Sequence, residues 1–185
     1  MMTKNRNILI ISIPEDTPRF EALLSDGRQF GIKLSYAVQE KSDGLAQAFI
    51  IAEKFIGNDA YAMVLGDNIF YGNVLENMLK SIAKRAKIGK ASVFGFYIHN
   101  LECFDVVEFD KSFKALSIEE KLSMSKSNHA VTGLYFYLPG VNEMNMLIKP
   151  SVPSELEIIT LKQMYLGKEL LDYDIMERGF SWLDT

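Results

Sequence analysis

The 185 residues, 48% hydrophobic and 24% charged, suffice for one ordinary domain and have the balance of a globular rather than a disordered chain. Lysine and arginine number 20 against 24 acidic residues, a net charge of −4, which speaks against a nucleic-acid partner, since phosphate binding shows as a basic balance or stripe. The lone cysteine, Cys103, excludes an internal disulfide and a cysteine-rich zinc site, and no run approaches the roughly 18 apolar residues of a membrane span.

The opening MMTKNRN leads straight into ILIIS with no small-residue cleavage site, so no signal peptide is expected. The disulfide-free composition suits a cytoplasmic protein. Apolar runs of strand length alternate with stretches of helical period, the signature of βαβ units in an α/β fold around a largely parallel sheet. Residues 8–11 read as a short β-branched strand buried on both faces. Thr17 and Pro18 read as the N-cap and first position of a helix whose buried stripe is Phe20, Leu23 and Leu24, with Gly27 stopping it.

A second strand at 33–38 runs into the polar loop 39–44, and a helix follows with Leu45, Ala48, Phe49, Ala52 and Phe55 at helical spacing. A third strand, 61–65, ends at Gly66-Asp67-Asn68, after which Leu75, Met78, Leu79 and Ile82 line another helix. The basic run Lys84-Arg85-Ala86-Lys87 reads as its solvated end, and 91–98 as a strand. Residues 106–109 and 113–118 form an expected antiparallel hairpin, 131–138 a further strand, and Pro139 a helix start. Residues 155–166 have helical period, with Leu156, Ile159 and Met164 inward, and 180–183 are a last strand stopping at Asp184-Thr185. No repeat, linker or low-complexity stretch interrupts the chain, so a single domain over 1–185 is expected.

Two carboxylates stand out by position. Asp67 follows the strand ending Val64-Leu65 and Asp184 follows Trp182-Leu183, and ligands of open α/β sheets bind outside the carboxyl ends of strands. On neighbouring strands the two would make a Mg²⁺ site of hard oxygen ligands, completed by water and phosphate; otherwise each is a turn former or a helix cap. The loop Gln39-Glu40-Lys41-Ser42-Asp43-Gly44 offers an amide and a close backbone approach suited to a base, or is an ordinary surface loop. Glu119-Glu120-Lys121 offers carboxylates for sugar hydroxyls and an ammonium for phosphate, or is a solvated strand end. His99 and His129 lack metal-ligand spacing, and Cys103 lacks a histidine partner. Neither G-x-G-x-x-G nor G-x-x-x-x-G-K-[ST] occurs. Composition and spacing stop at an α/β domain with a candidate acidic metal site.

Taken together, the stretches ILIISIPEDTPRFEALLSDGRQFGIKLSYAVQ, DGLAQAFIIAEKFIG and VLGDNIFYGN, followed by VVEFD, IEEK, AVTGLYFY, SELEI and GFSWLDT, resemble the glucose-1-phosphate thymidylyltransferases, a family of sugar nucleotidyltransferases. The resemblance implies a three-layer, Rossmann-like α/β fold with a mostly parallel mixed sheet, incomplete at the N-terminus. It implies attack of a sugar-1-phosphate oxygen on the α-phosphorus of dTTP, giving dTDP-glucose and pyrophosphate with Mg²⁺, a step in nucleotide-sugar, dTDP-rhamnose and polysaccharide-precursor synthesis. Its partners are then dTTP and glucose-1-phosphate, with no nucleic acid or membrane and with a homo-oligomer left open. Carried over by residue, Gln39 and Gly44 correspond to thymine-reading positions and Asp67 and Asp184 to magnesium aspartates. Asn68, Glu120 and Val131 correspond to sugar contacts and Lys121 to a phosphate contact.

The departures from the family are specific. Its glycine-rich GGxGTR loop and following lysine, which hold the triphosphate, do not occur in this sequence, nor do its C-terminal helices. Phe104-Asp105 stands where the family has Tyr-Gly, so a carboxylate replaces a glycine facing the sugar. Pro153 stands where the family places a phosphate-neutralising arginine, Leu122 where it has proline, and Ile159-Thr160 where it has Thr-Asp. Charge-stabilising contacts of this kind are each worth about 10²–10³ in rate. The chain alone therefore reads as an enzyme fragment without turnover, with a non-catalytic nucleotide-sugar-binding relative or a structural remnant as alternatives.

Overall fold

Alternating apolar strands and amphipathic helices set the order of elements in the computed structural model, which describes residues 6–41, 45, 47–98, 104–109, 115–119, 127–139, 158–176 and 179–184. The chain divides into two compact units, residues 3–57 with 142–158 and residues 58–141 with 159–185. No helix among the described residues is long and apolar enough to cross a membrane.

In the first unit, strand β1 (Asn7–Ser12) pairs in parallel with β2 (Lys33–Val38), in register from Asn7 with Lys33 to Ser12 with Val38. The crossover between them carries helix α1 (Thr17–Leu24) and a single 3₁₀ turn at Arg28–Phe30. Gly27, at φ 80°, begins that turn in a conformation a side chain would strain, and a Cβ there would lie 2.7 Å from Leu34 Cγ. Helix α2 (Gln47–Ile56) buries Phe49, Ala52 and Ile56.

Three sequence expectations change here. Thr17 is the first residue of α1 rather than its cap; its hydroxyl donates back to the Ile13 carbonyl at 3.0 Å, and Asp16 takes the cap position. The stripe of α1 is not buried as expected, with Phe20 exposed and Leu23 74% exposed, because a two-stranded ribbon offers little surface to cover a helix. For the same reason Ile8 in β1 is exposed, and in the second helix Phe55 and the preceding Leu45 are exposed while Ile56 takes the inward position.

In the second unit, β3 (Tyr61–Val64), β5 (Ala91–Tyr97), β6 (Val106–Phe109), β7 (Ala115–Glu119), β8 (His129–Tyr137) and β9 (Leu171–Met176) form one mixed sheet of order β7-β6-β8-β5-β9, with β3 also on β8. The expected hairpin is β6–β7. β5 and β9 pair in parallel, whereas β3, β5 and β6 each run antiparallel to β8. Four strands, β3, β5, β6 and β9, therefore share one direction. Helix α3 (Leu75–Lys87) lays Ile82 and Ala86 on Phe94, Leu134, Phe136 and Met176. Tyr137, which alternates with Phe136, meets Tyr165 of helix α4 (Ile158–Gly167) at a ring separation of 6.0 Å. This unit thus has the layers helix, sheet, helix.

β9 was not foreseen, although Leu171, Tyr173 and Ile175 alternate with Asp172 and Asp174. Those aspartates hold the end of α3: Arg85 pairs with Asp174 and lies 3.6 Å from Asp172, so the run read as a solvated helix end is partly an ion-pair anchor. Burial raises the Asp174 carboxyl above its usual range, and Arg85 opposes that shift. A second unforeseen strand, β4 (Asn68–Gly72), pairs antiparallel with β10 (Phe180–Asp184) as a separate two-stranded ribbon. The helix expected from Pro139 lies outside the described residues.

Candidate functional site

β3 overruns its strand by one residue, with the Leu65 N–H donating to the Gly133 carbonyl at 2.9 Å. The chain then turns back through Gly66 and Asp67, the Asn68 N–H reaching the Leu65 carbonyl at 3.2 Å, and enters β4. Across the ribbon Asn68 stands opposite Asp184. The reversal therefore sets Asp67 beside Asp184. The sequence argument expected both at one edge of one sheet; the structure instead brings them together through the turn into β4 and its pairing with β10.

The Asn68 side chain ties the two together. Its Nδ2 donates to Asp67 Oδ1 at 2.7 Å and to Asp184 Oδ1 at 2.7 Å, so those oxygens lie no farther apart than twice that length. Its Oδ1 accepts from the Gly133 N–H at 2.9 Å and from Trp182 Nε1 at 2.6 Å. An amide has two donor hydrogens and two acceptor lone pairs, and all four are engaged. Both aspartates are exposed, while Asn68 and Trp182 are half-buried.

Two features of the surroundings make this arrangement feasible. Between the pairs Val93–Tyr135 and Gly95–Val131, β8 carries three residues where β5 carries one, a bulge that includes Gly133. The Gly133 N–H is then turned to Asn68, and a Cβ at 133 would stand 2.7 Å from Asn68 Oδ1 and 2.8 Å from its Cγ, so only glycine admits the amide. The Trp182 ring is held edge-to-face by Phe96 at 6.0 Å and Phe104 at 5.3 Å. Sequence reasoning missed Gly133 and Trp182. Glycine inside the apolar run AVTGLYFY was the signal for the first, and the two-residue spacing of Trp182 and Asp184, which sets both on one face of a strand, for the second.

Asp105 and Val131 are also joined, the Val131 N–H donating to the Asp105 carbonyl at 2.8 Å. The Val131 side chain is buried, which leaves only its backbone to meet a ligand, and Phe104 next to Asp105 packs on Trp182. Four of the expected positions, Asp67, Asn68, Asp184 and, two residues from Gly133, Val131, thus share one region of the second unit, with Asp105 bonded to the last. In the first unit Gln39 follows β2, and its N–H donates to the Ser12 carbonyl at 2.8 Å, one residue beyond the ladder. Gly44, Glu120 and Lys121 lie outside the described residues, as do His99 and Cys103. His129 sits against the Tyr97 ring at 5.8 Å, and burial lowers its pKa.

The chemistry of the donor set favours a hard cation. Asp67 and Asp184 offer two exposed carboxylates, and among the described residues no group of three or more His, Cys, Asp or Glu could hold a metal ion. Two such carboxylates fit Mg²⁺, which takes one or two and keeps water or substrate oxygens in its other positions.

The nucleotidyl transferase family model matches residues 1–185. A glucose-1-phosphate thymidylyltransferase from Neisseria meningitidis is 52% identical over 185 residues, which is 100% of this chain and 64% of that protein. One from Mycobacterium tuberculosis is 44% identical over 100% of this chain and 63% of its own length. The chain therefore spans a little under two-thirds of these curated relatives. A solved Bacillus anthracis structure, described as a glucose-1-phosphate thymidylyltransferase in complex with a sucrose, matches with a TM-score of 0.86 at 34% identity, covering 97% of this chain and 70% of that one. An apo UDP-glucose pyrophosphorylase structure, at 18% identity and a TM-score of 0.78 over 97% of this chain and 76% of that one, shares the fold.

Proposed function

The chain belongs to the nucleotidyl transferase family and, within it, to the glucose-1-phosphate thymidylyltransferases, and from that premise we propose that its acidic pair serves Mg²⁺-dependent transfer of a thymidylyl group to glucose-1-phosphate. In this reaction an oxygen of the sugar phosphate attacks the α-phosphorus of dTTP, the bond to the β-phosphate oxygen breaks, and pyrophosphate leaves. The observation that carries the reading is the convergence of Asp67 and Asp184 on one amide. When bound, Mg²⁺ supplies neutralisation of phosphate charge, which phosphoryl transfer needs more than covalent chemistry. Asp67 and Asp184 are the residues that would hold it.

Gln39 and Gly44 read the thymine, Glu120 and the Val131 backbone meet the sugar, and Lys121 meets its phosphate. Asn68 belongs to the same sugar-side group. Residues 1–185 are read as one nucleotidyltransferase domain, supported by the unbroken family match across both units. The small-molecule partners are dTTP and glucose-1-phosphate, in a cytoplasmic setting.

A second reading has its own observation. Asp105 places a carboxylate at the position of the family's sugar-facing glycine. On that reading this polypeptide binds nucleotide sugar without turning it over. Calorimetry of the 185-residue chain with Mg²⁺ and dTDP-glucose, paired with a pyrophosphate-release assay on dTTP and glucose-1-phosphate, separates the two. Binding without release supports the second; release near the enzyme median of about 10 s⁻¹ supports the first. Absence of both binding and release overturns the functional assignment for this polypeptide.

A further inference from the structure

We propose that Trp182 is a positioning residue for the metal site: through its indole N–H it fixes the orientation of the Asn68 amide, which in turn sets the separation and direction of Asp67 and Asp184. The inference rests on the metal reading above and extends it to a residue that the acidic motif does not include.

The argument is one of hydrogen-bond polarity. The Gly133 backbone N–H and the Trp182 indole N–H can only donate, so the atom of Asn68 facing them is its oxygen. The amino group is then forced toward the two carboxylates, where each of its hydrogens meets one Oδ1. With the amide reversed, an oxygen would face two carboxylates and an amino group would face two N–H groups, leaving every contact repulsive. Two donors on the oxygen side leave one orientation. Removing the indole N–H leaves the backbone N–H of Gly133 to hold it alone. The indole itself is clamped by Phe96 and Phe104, so its N–H is a fixed donor rather than a rotating one.

This role is separate from a sugar contact at Asn68, which would be a van der Waals one because all four hydrogen-bonding positions of the amide are engaged. It also differs from simple packing, since Trp182→Phe retains an aromatic ring beside Phe96 and Phe104 while removing the donor. Groups that orient metal ligands typically contribute 10–100-fold to metal affinity. Trp182 acts one step further out, through Asn68, so the lower end applies.

Trp182 is the chain's only tryptophan, and its indole N–H therefore gives a single assignable resonance in a nitrogen–proton correlation spectrum. Titration of the 185-residue chain with Mg²⁺ alone is expected to move that resonance saturably, and Asp67→Asn and Asp184→Asn are expected to abolish the movement. Trp182→Phe is expected to weaken Mg²⁺ binding by about tenfold, read by calorimetry. Mg²⁺ binding by the wild-type chain with the indole resonance unmoved overturns the proposal and leaves the metal site intact, and it does so without any variant having to fold. Unchanged affinity in a folded Trp182→Phe chain has the same meaning. A wild-type chain that binds no Mg²⁺ overturns both the metal reading and this extension of it.

Discussion

The two ribbons of the chain are built in opposite ways. β1–β2 is parallel, joined by a helical crossover, and its candidate residue Gln39 follows the ladder, with its N–H on the Ser12 carbonyl. β4–β10 is antiparallel, and its candidate residues are the strand residues themselves: Asn68 begins one strand, Asp184 ends the other, and they face each other in register. In the first ribbon the chain's course sets where a functional group begins. In the second, four side-chain hydrogen bonds set where each functional atom lies. Metal ligation requires the tighter control, because ligand positions matter to fractions of an ångström.

The strongest way to break this contrast is at the amide. Asn68→Leu removes both donors from the aspartates and strands the Gly133 and Trp182 N–H groups. We expect Mg²⁺ affinity to fall about 10–100-fold by calorimetry, with about 1–3 kcal/mol lost from folding stability by urea denaturation. Gly133→Ala is expected to give a similar loss of affinity, since a Cβ at 2.7 Å displaces the Asn68 carbonyl oxygen.

The contrast sharpens with Gln39→Ala. Its binding of dTDP-glucose is expected to weaken about 3–10-fold by calorimetry, as loss of one or two neutral hydrogen bonds would give, while Mg²⁺ affinity stays at the wild-type value. A change in Mg²⁺ affinity would mean that Gln39 does more than read a base. Asp105→Gly is smaller still. Removing one carboxylate beside a bound phosphate is expected to strengthen binding of glucose-1-phosphate by about threefold at low ionic strength, the gain shrinking as salt is added. Equal affinity in the two variants would place the Asp105 carboxylate away from the sugar.

The smallest effect is one of pH. Burial lowers the His129 pKa below 6.5 in the folded chain, so below that value the unfolded chain binds the extra proton more readily. Stability is therefore expected to fall as pH drops through 6.5 toward the lowered folded value and to be insensitive to this group above it. His129→Asn should flatten the thermal midpoint over that window; an unchanged slope would assign it to other groups.

The sequence was most legible where apolar periodicity and burial agree. The β6–β7 hairpin, the core strands β5 and β8 and the stripe of α3 follow from such runs. It was least legible where burial depends on what covers a face: the apolar spacing of Phe20 and Leu23 defines a stripe but not a partner for it. β4 was missed because the alternation of NIFYG was overshadowed by the turn signal of Gly66-Asp67-Asn68, although Asn68, Phe70 and Gly72 are less exposed than Ile69 and Tyr71. The acidic pair could be read from the strand-end rule, and its convergence could not, because pairing of residues more than a hundred positions apart leaves no local trace. Gly133 and Trp182 carried signals that a rule about strand glycines and alternate residues recovers only once the partner strand is known.

An amide offers hydrogen-bond donors but no net charge. Asn68 therefore settles the directions of two carboxylates while leaving their mutual repulsion in place, whereas a lysine at that position would satisfy them with its own ammonium and compete with any arriving ion. On the proposed reading, a divalent cation that relieves the repulsion binds the folded chain and not the unfolded one, and so becomes a component of its stability. Supply of the ion and abundance of the folded chain are then coupled quantities, and the neutrality of one side chain is what couples them.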